Sequence, residues 1–497
     1  MRHVCRQLCD ETAELCDGRP GRCHRRLDGG RVTSPGMTRA RAADLVDSER
    51  GTISREIFVS ADIHAQELET LFTRAWLFVG HESQVANPGD FFTSRMGGES
   101  VILCRDKAGQ VRVFLNSCRH RGMKVCRYDQ GNTTLFTCPY HNWAYGLDGR
   151  LMGVPQYKSL YEDVLVRDDW PLIPVARLAV YKGTVWATWD ADAPDFETYM
   201  GDALAHLDQA LDCRDGRPGG SEVIGVHKWL FPANWKFAAE NFLGDTYHNP
   251  SHRSVDLIGI GPSAAAGVKG RRDDELAKAA HVWIAFAQGH GIHSAIAPEV
   301  NTYTEAFKDN PAIEEYFRGC FDARKARLGE RARLLPFVGT IFPNASYHGR
   351  QPRGICVWHP HGPTETEAWR FFLVDADAPP EVKDFLRRYY MRYSGPAGMT
   401  EQDDMENWNY ATAASRGAIA RRYPFNYQQS IASASLDPEV LGYRVPGLVS
   451  TQVTEHMSLG FYRRWADHLE NRSWDVLLGA GDPRFDTHAR SNGLATR

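Results

Sequence analysis

Residues 117–143 read SCRHRGMKVCRYDQGNTTLFTCPYHNW, three cysteines and two histidines within 27 positions. Two of the cysteines are each followed closely by a histidine, as Cys118-x-His120 and Cys138-x-x-His141, with 17 residues between the pairs. Each short loop offers one sulfur and one nitrogen, so the two can close on a metal from opposite sides. Tetrahedral zinc accepts such a donor set. So does a [2Fe–2S] cluster in which two cysteines hold one iron and two histidines the other. Cys126, between the loops, is read as a buried thiol.

The chain of 497 residues is long enough for two or three domains with substantial cores. Its 58 Lys and Arg against 62 Asp and Glu leave a net charge of −4, which points neither to nucleic acid nor to an anionic membrane as a partner. No apolar run reaches the roughly 18–20 residues needed to cross a bilayer. The opening MRHVCRQLCDETAELCDG lacks the apolar core of a secretory signal, so a cytoplasmic protein is expected. Eleven cysteines, an odd number, then read as thiols or metal ligands rather than disulfides. Cys5, Cys9, Cys16 and Cys23 crowd the start, but they form no tight C-x-x-C pair. Residues 1–37 are expected to be a disordered or non-native extension, with Met37 as a candidate start.

Order is expected from about Arg55. Ser60 is a candidate helix cap, and Leu68, Leu71, Phe72 and Ala75 form an apolar stripe behind it. Between about 88 and 190 the texture is of short strands: SVILCRDKAGQVRVFLN turns at Gly109 and AVYKGTVWATWD at Lys182-Gly183. The cysteine–histidine loops lie within this β region. Helices are expected over ETYMGDALAHLDQAL and PANWKFAAENFLGDTYH, near 381–392 and 401–418, and in VSTQVTEHMSLGFYRRWADHLE; ICVWHP and WRFFLVDA read as strands. RDGRPGGS reads as a loop, and PSAAAGVKGRRDDELAKAA as a surface loop or lid.

A second cluster lies about a hundred residues downstream. NWKFAAENFLGDTYHNPSH, residues 234–252, sets Asn241, Asp245, His248 and His252 at spacings of 4, 3 and 4. On an ideal helix these four share one stripe, while Trp235, Ala239 and Phe242 face elsewhere. Pro250 removes an amide and should bend or end that helix. The zinc-protease signature H-E-x-x-H is excluded, because Asn249 stands where Glu is needed. Two histidines with a distant carboxylate fit the facial triad of a non-haem Fe(II) site, which leaves positions open for oxygen.

RHRG after Cys118 and CPYHNWAYGLDG around Cys138 resemble the ligand loops of Rieske non-haem iron oxygenases. NWKFAAENF-x-GD-x-YH is similar to the catalytic helix of the large (α) subunits of aromatic-ring-hydroxylating dioxygenases, and the resemblance runs from about residue 50 onward. It implies that Cys118, His120, Cys138 and His141 hold a Rieske [2Fe–2S] cluster and that His248 and His252 bind a mononuclear Fe(II). It implies further that Asp245 links His248 to His141 of a neighbouring subunit, with Asn241 a polar group of the same site. GPAGMTEQDDMENW resembles the segment carrying the third ligand, which alignment of its E-x-D-D core puts at Asp404 rather than Asp403; Glu401 and Asp403 are then expected at the surface. This sequence departs from the family at Asn142, where glycine is usual, and in the four-residue step from His248 to His252, where five is commoner.

The implied fold is α+β. A Rieske-type β domain at 76–192 precedes a catalytic domain at 193–497 with an antiparallel sheet and surrounding helices, to which 38–75 also contributes. The implied activity is that of a terminal oxygenase, using O2 and NADH-derived electrons to cis-dihydroxylate an aromatic ring. The implied partners are a reductase and a ferredoxin, in a homotrimer of α subunits with or without a β subunit. Phe242, Leu243, Leu257 and Ile258 are candidate pocket residues, and the GHGIH histidines at 289–293 are read as structural. The alternatives are a Rieske monooxygenase or demethylase and, from another class, an electron carrier or zinc-stabilised binding protein without oxygenase chemistry.

Overall fold

The computed structural model describes residues 41–162, 164–211, 220–258, 280–297, 310–349, 352–431, 439–440, 443–480 and 485. The extension at 1–37 and nearly all of the loops read at 214–221 and 262–280 lie outside them. Order begins earlier than Arg55: Thr52–Ile53 pairs with Val46–Asp47 on one side and Phe425–Asn426 on the other. Ser60 caps the helix Ala61–Thr70 by accepting from the Ile63 amide. Gln66 on that helix donates to the Leu469 carbonyl, tying it to the late helix His456–Leu469.

The β region contains three small antiparallel sheets. One runs in the order Val111–Leu115, Glu99–Arg105, Asp90–Met96, Gln130–Asn132. Because strand side chains alternate, this sheet serves two cores at once. Val101, Leu103, Phe92 and Val113 join the main core of the molecule, whereas Ile102, Cys104, Phe91 and Phe114 join a separate core containing Cys118, Cys126 and Cys138. The hairpin at Lys182-Gly183 has φ of 46° and 84° at its two turn residues, the left-handed pair that a tight turn between twisted strands needs.

The larger part of the chain is built on an eight-stranded antiparallel sheet. Its order is Ser221–Phe231, Glu365–Asp375, Gly354–Gly362, Ala345–His348, Leu334–Ile341, Gly291–Ile296, Ala280–Ala285, Leu448–Ser450. Alternation again splits the faces. Phe371 and Leu373 enter the main core, while Phe372 and Val374 meet Ile313, Phe317, Leu386 and Tyr390 of two covering helices, Pro311–Leu328 and Pro380–Tyr393. The helix Trp235–Asn241 packs on the main-core face, where the Thr340 hydroxyl donates to the Ala239 carbonyl at 2.7 Å. Beneath it Lys236 and Glu67, both without solvent exposure, form an ion pair at 2.5 Å, and Trp235 and Trp465 add indole donors to the same carboxylate.

Two expectations about these helices need correction. The single helix carrying Asn241, Asp245, His248 and His252 does not exist. The helix stops at Asn241, the chain turns through Gly244 at φ 119°, and a short 3-10 turn Asn249–His252 starts with Pro250 in its first turn. Gly244 supplies a conformation other residues avoid, and Pro250 suits a helix start rather than a helix interior. The second correction concerns Glu401, which is buried rather than at the surface. It pairs with Arg370 of the sheet and accepts from the Gly395 amide at 2.7 Å, anchoring the start of the helix Met399–Ser415.

Candidate metal centres

The two cysteine–histidine loops have matching backbone frames. In the first, Cys118 N donates to Met123 O and Gly122 N to Cys118 O; in the second, Cys138 N donates to Trp143 O and Asn142 N to Cys138 O. Gly122 and Asn142 thus occupy equivalent positions, four residues after their cysteines, and both have positive φ, 73° and 55°. Asparagine is the side chain that tolerates this region best, so the departure from glycine keeps the loop geometry.

These loops bring the four donor residues together. Cys118 and Cys138 are buried and their thiols are in contact, and the rings of His120 and His141 lie 4.5 Å apart. His120 stacks on Trp143 at 5.0 Å, and its Nδ1 is buried without a partner. An imidazole nitrogen left without a partner beside two thiols fits a metal or a two-iron cluster. Burial, with His141 and Arg121 nearby, lowers the His120 pKa and favours the neutral, ligating form. The Tyr145 hydroxyl sits 3.3 Å from Cys118 Sγ, a contact of the kind that tunes cluster potential. Cys126 is buried, and its amide and carbonyl are both bonded by Asn116.

At the second centre His248 Nε2, His252 Nε2 and Asp404 Oδ1 form a nearly equilateral triangle. Its edges are 3.0 Å between the nitrogens and 3.1 and 3.2 Å from each to the oxygen. Protons cannot satisfy all three edges, because two facing imidazole nitrogens share at most one. A single cation can: donors about 2.1 Å from one ion at right angles lie about 3.0 Å apart, which is one face of an octahedron. The residues present therefore fit a mononuclear metal.

A carboxylate stands behind each histidine. Asp245 Oδ2 is 3.5 Å from His248 Nδ1, and Asp403 Oδ2 is 3.4 Å from His252 Nδ1. Asp403, expected as a surface residue, is instead turned to the far side of His252 and held there by the Ser254 hydroxyl at 2.8 Å. Neither contact has hydrogen-bond geometry, so both Nδ1 atoms are buried without a hydrogen bond; carboxylates so placed can orient ligand rings. Burial would lower the His248 pKa, but Asp245 and Asp404 outweigh it and raise it to about 10; the two histidines in turn hold Asp404 well below the usual carboxylate range.

Asn241 and Asp245 line a cavity of about 340 Å³ together with Glu240, His248, Asn407 and Trp408. Of the expected pocket residues Phe242 and Leu243 are buried, whereas Leu257 is 71% exposed and turns away; the side chain of Ile258 lies outside the described residues. His290 bridges the Tyr199 carbonyl and the Phe342 amide, a structural role, and His293 stacks on Trp283. The sequence carried no local signal for Asp403 behind His252 or for the Glu401–Arg370 anchor, since each depends on partners more than 30 residues away.

Comparison with known proteins gives the family. Residues 75–175 match the Rieske [2Fe-2S] domain family and residues 198–470 the catalytic domain of the ring hydroxylating alpha subunit family. The α subunit of biphenyl 2,3-dioxygenase from Rhodococcus jostii (strain RHA1) is 38% identical over 452 residues, covering 89% of this chain and 94% of that protein. The benzene 1,2-dioxygenase α subunit of Pseudomonas putida is 36% identical, covering 87% and 94%. Among solved structures, naphthalene 1,2-dioxygenase from Rhodococcus sp. bound to indole superposes with a TM-score of 0.72 at 32% identity, covering 87% and 95%.

Proposed function

The chain belongs to the α subunits of ring-hydroxylating dioxygenases, and from that membership we propose the duties of its own residues. It is a terminal oxygenase that dihydroxylates an aromatic ring with O2, using a Rieske cluster and a mononuclear iron fed by NADH-derived electrons. In the proposed assignment Cys118, Cys138, His120 and His141 hold the cluster, and His248, His252 and Asp404 hold the iron. The observation that carries it is the triangle of 3.0–3.2 Å between the two Nε2 atoms and Asp404 Oδ1.

When bound, the iron supplies the site at which oxygen is activated beside the ring. The protein's part is positioning and exclusion of water. The Glu401–Arg370 anchor places Asp404, and Trp408, one turn further on, packs 5.6 Å from Trp358 to fix the helix on the sheet. Asp403 locks the His252 ring. Asp245, half-exposed beside His248, is assigned the link to His141 of a neighbouring α subunit, and Asn241 a polar contact in the cavity they share.

The substrate class proposed is an unfused or fused carbocyclic aromatic, as named for the relatives. The proposed assembly is a homotrimer of α subunits, with or without a β subunit, served in the cytoplasm by a reductase and a ferredoxin. Among the described residues no helix is long and apolar enough to cross a membrane. Domain limits of 38–75 with 193–497 for the catalytic part and 76–192 for the cluster part are supported by the tie of the helix Ala61–Thr70 to the helix His456–Leu469.

The test is anaerobic purification followed by metal analysis and low-temperature EPR of the reduced protein. The expected result is about three irons per chain, with a rhombic Rieske signal, and loss of only the mononuclear iron in His248→Ala. Zinc in place of the signal would overturn the assignment. Incubation with biphenyl under 18O2 is expected to give a cis-diol carrying both labelled atoms; one labelled atom would mark a monooxygenase.

A further inference from the structure

One carboxyl group beside the iron site has no part in holding metal. Glu240 precedes Asn241 on the helix and lines two cavities: the one of about 340 Å³ that reaches His248, and a second of about 220 Å³ bounded by Asp245, Tyr427 and Glu455. The Tyr427 hydroxyl donates to both of its oxygens, at 3.1 and 2.9 Å, and the Tyr462 hydroxyl donates to one of them. Both tyrosines are buried. The charged groups around it are Lys236 on its own helix, already paired with Glu67, and Asp245 and Glu455, both acidic.

We propose that Glu240 is the proton relay of the oxygenase reaction, passing protons from the cavity beside Glu455 to the cavity beside His248. This rests on the assignment of His248, His252 and Asp404 to the iron. Cis-dihydroxylation breaks the O–O bond of O2, forms two C–O bonds at one ring double bond, and takes up two electrons from NADH and two protons. The protons come from water and must reach the side of the helix where His248 lies. A carboxyl group on the wall between two cavities can give its proton to a hydroxyl forming on one side and regain one from water on the other, with no net change in its own charge. Its electrostatics suit the task. Burial pushes the carboxyl up to about 8, helped by Asp245 and Glu455 and opposed by the tyrosine donors, so it carries its proton at neutral pH.

The experiment uses two readouts. Infrared titration of metal-free protein should show a protonated-carboxyl band that disappears near pH 8 and is missing from Glu240→Gln. In single turnovers of the iron-loaded, pre-reduced protein with biphenyl, Glu240→Gln should keep its iron and cluster signals. It should nonetheless form product about 100-fold more slowly, with part of the oxygen released as peroxide. The wild-type rate should fall as pH rises through about 8. A wild-type rate and pH profile in Glu240→Gln, or the absence of the carboxyl band, would overturn the relay. If that variant does not fold, Tyr427→Phe removes one donor to the carboxylate and must move the alkaline limb to higher pH; an unmoved limb is equally fatal. A wild type that binds iron but makes no cis-diol would sink the functional reading and the relay with it, and a band that still titrates near pH 8 would show that the function, not the acid, was misassigned.

Discussion

Asp403 and Asp404 are adjacent in sequence and serve opposite ends of one imidazole. Asp404 meets His252 at Nε2, while Asp403 reaches Nδ1 at 3.4 Å. Asp403→Asn is therefore expected to leave the fold intact and weaken Fe(II) binding by about 10–100-fold, read by titrating metal-free protein with Fe(II) or Co(II). Proton competition acts at His248. Without metal its raised pKa keeps a proton up to about pH 10, and a ligand must be neutral, so binding expels that proton. Iron affinity should rise with pH, approaching tenfold per unit, and level off near pH 10; calorimetry in buffers of different ionisation enthalpy counts the proton. The same sign applies to the stability of the metal-free protein, where this contribution is complete below about pH 6.5 and lost as pH climbs through about 10. In the cluster loop, Asn142→Gly should cost little and Asn142→Val about 1–2 kcal/mol or more, by chemical denaturation, because φ is 55° there. At this scale the sequence was most legible where chemistry is local. The short spacings of Cys118, His120, Cys138 and His141 marked a metal-type loop pair that the structure brings together, whereas Asp403 and Glu401 were misplaced because their surroundings depend on Ser254 and Arg370, remote in sequence.

Elements were legible wherever a cap or turn residue declares itself. Ser60, Gly109 and Lys182-Gly183 stand where the sequence put them. The iron segment was harder, because its polar stripe at spacings of 4, 3 and 4 fits a continuous helix as well as it fits a helix, a turn and a second short helix. Gly244 decides between them. A Cβ there would lie 2.6 Å from the His293 Cβ and 3.1 Å from the Trp283 ring, whose indole donates to the Gly244 carbonyl. Gly244→Ala is expected to displace the turn that presents Asp245 and His248 and to lower mononuclear iron content severalfold, with the Rieske EPR signal retained. Equal iron occupancy in that variant would mean the turn is more pliant than its packing implies.

Across the whole molecule the sheet order was the least legible feature. Ser221–Phe231 pairs with Glu365–Asp375 over more than a hundred intervening residues, and no local pattern specifies such a partner. Three distant segments also meet at the buried Glu67–Lys236 pair, with Trp235 and Trp465 completing the carboxylate's donors. Lys236→Met leaves the buried Glu67 carboxyl without its cation; a loss of about 3–5 kcal/mol is expected in urea unfolding. Replacing both partners together should cost less than that single change. The two-faced sheet at 90–132 has a different kind of consequence. Because neighbouring residues of one strand, such as Val101 and Ile102, belong to different cores, the cluster part is not a detachable cartridge. A chimera that imports another Rieske module whole would import half of a foreign contact surface with it, so electron-transfer properties are better exchanged by grafting the loops at 117–127 and 138–143 onto the resident strands.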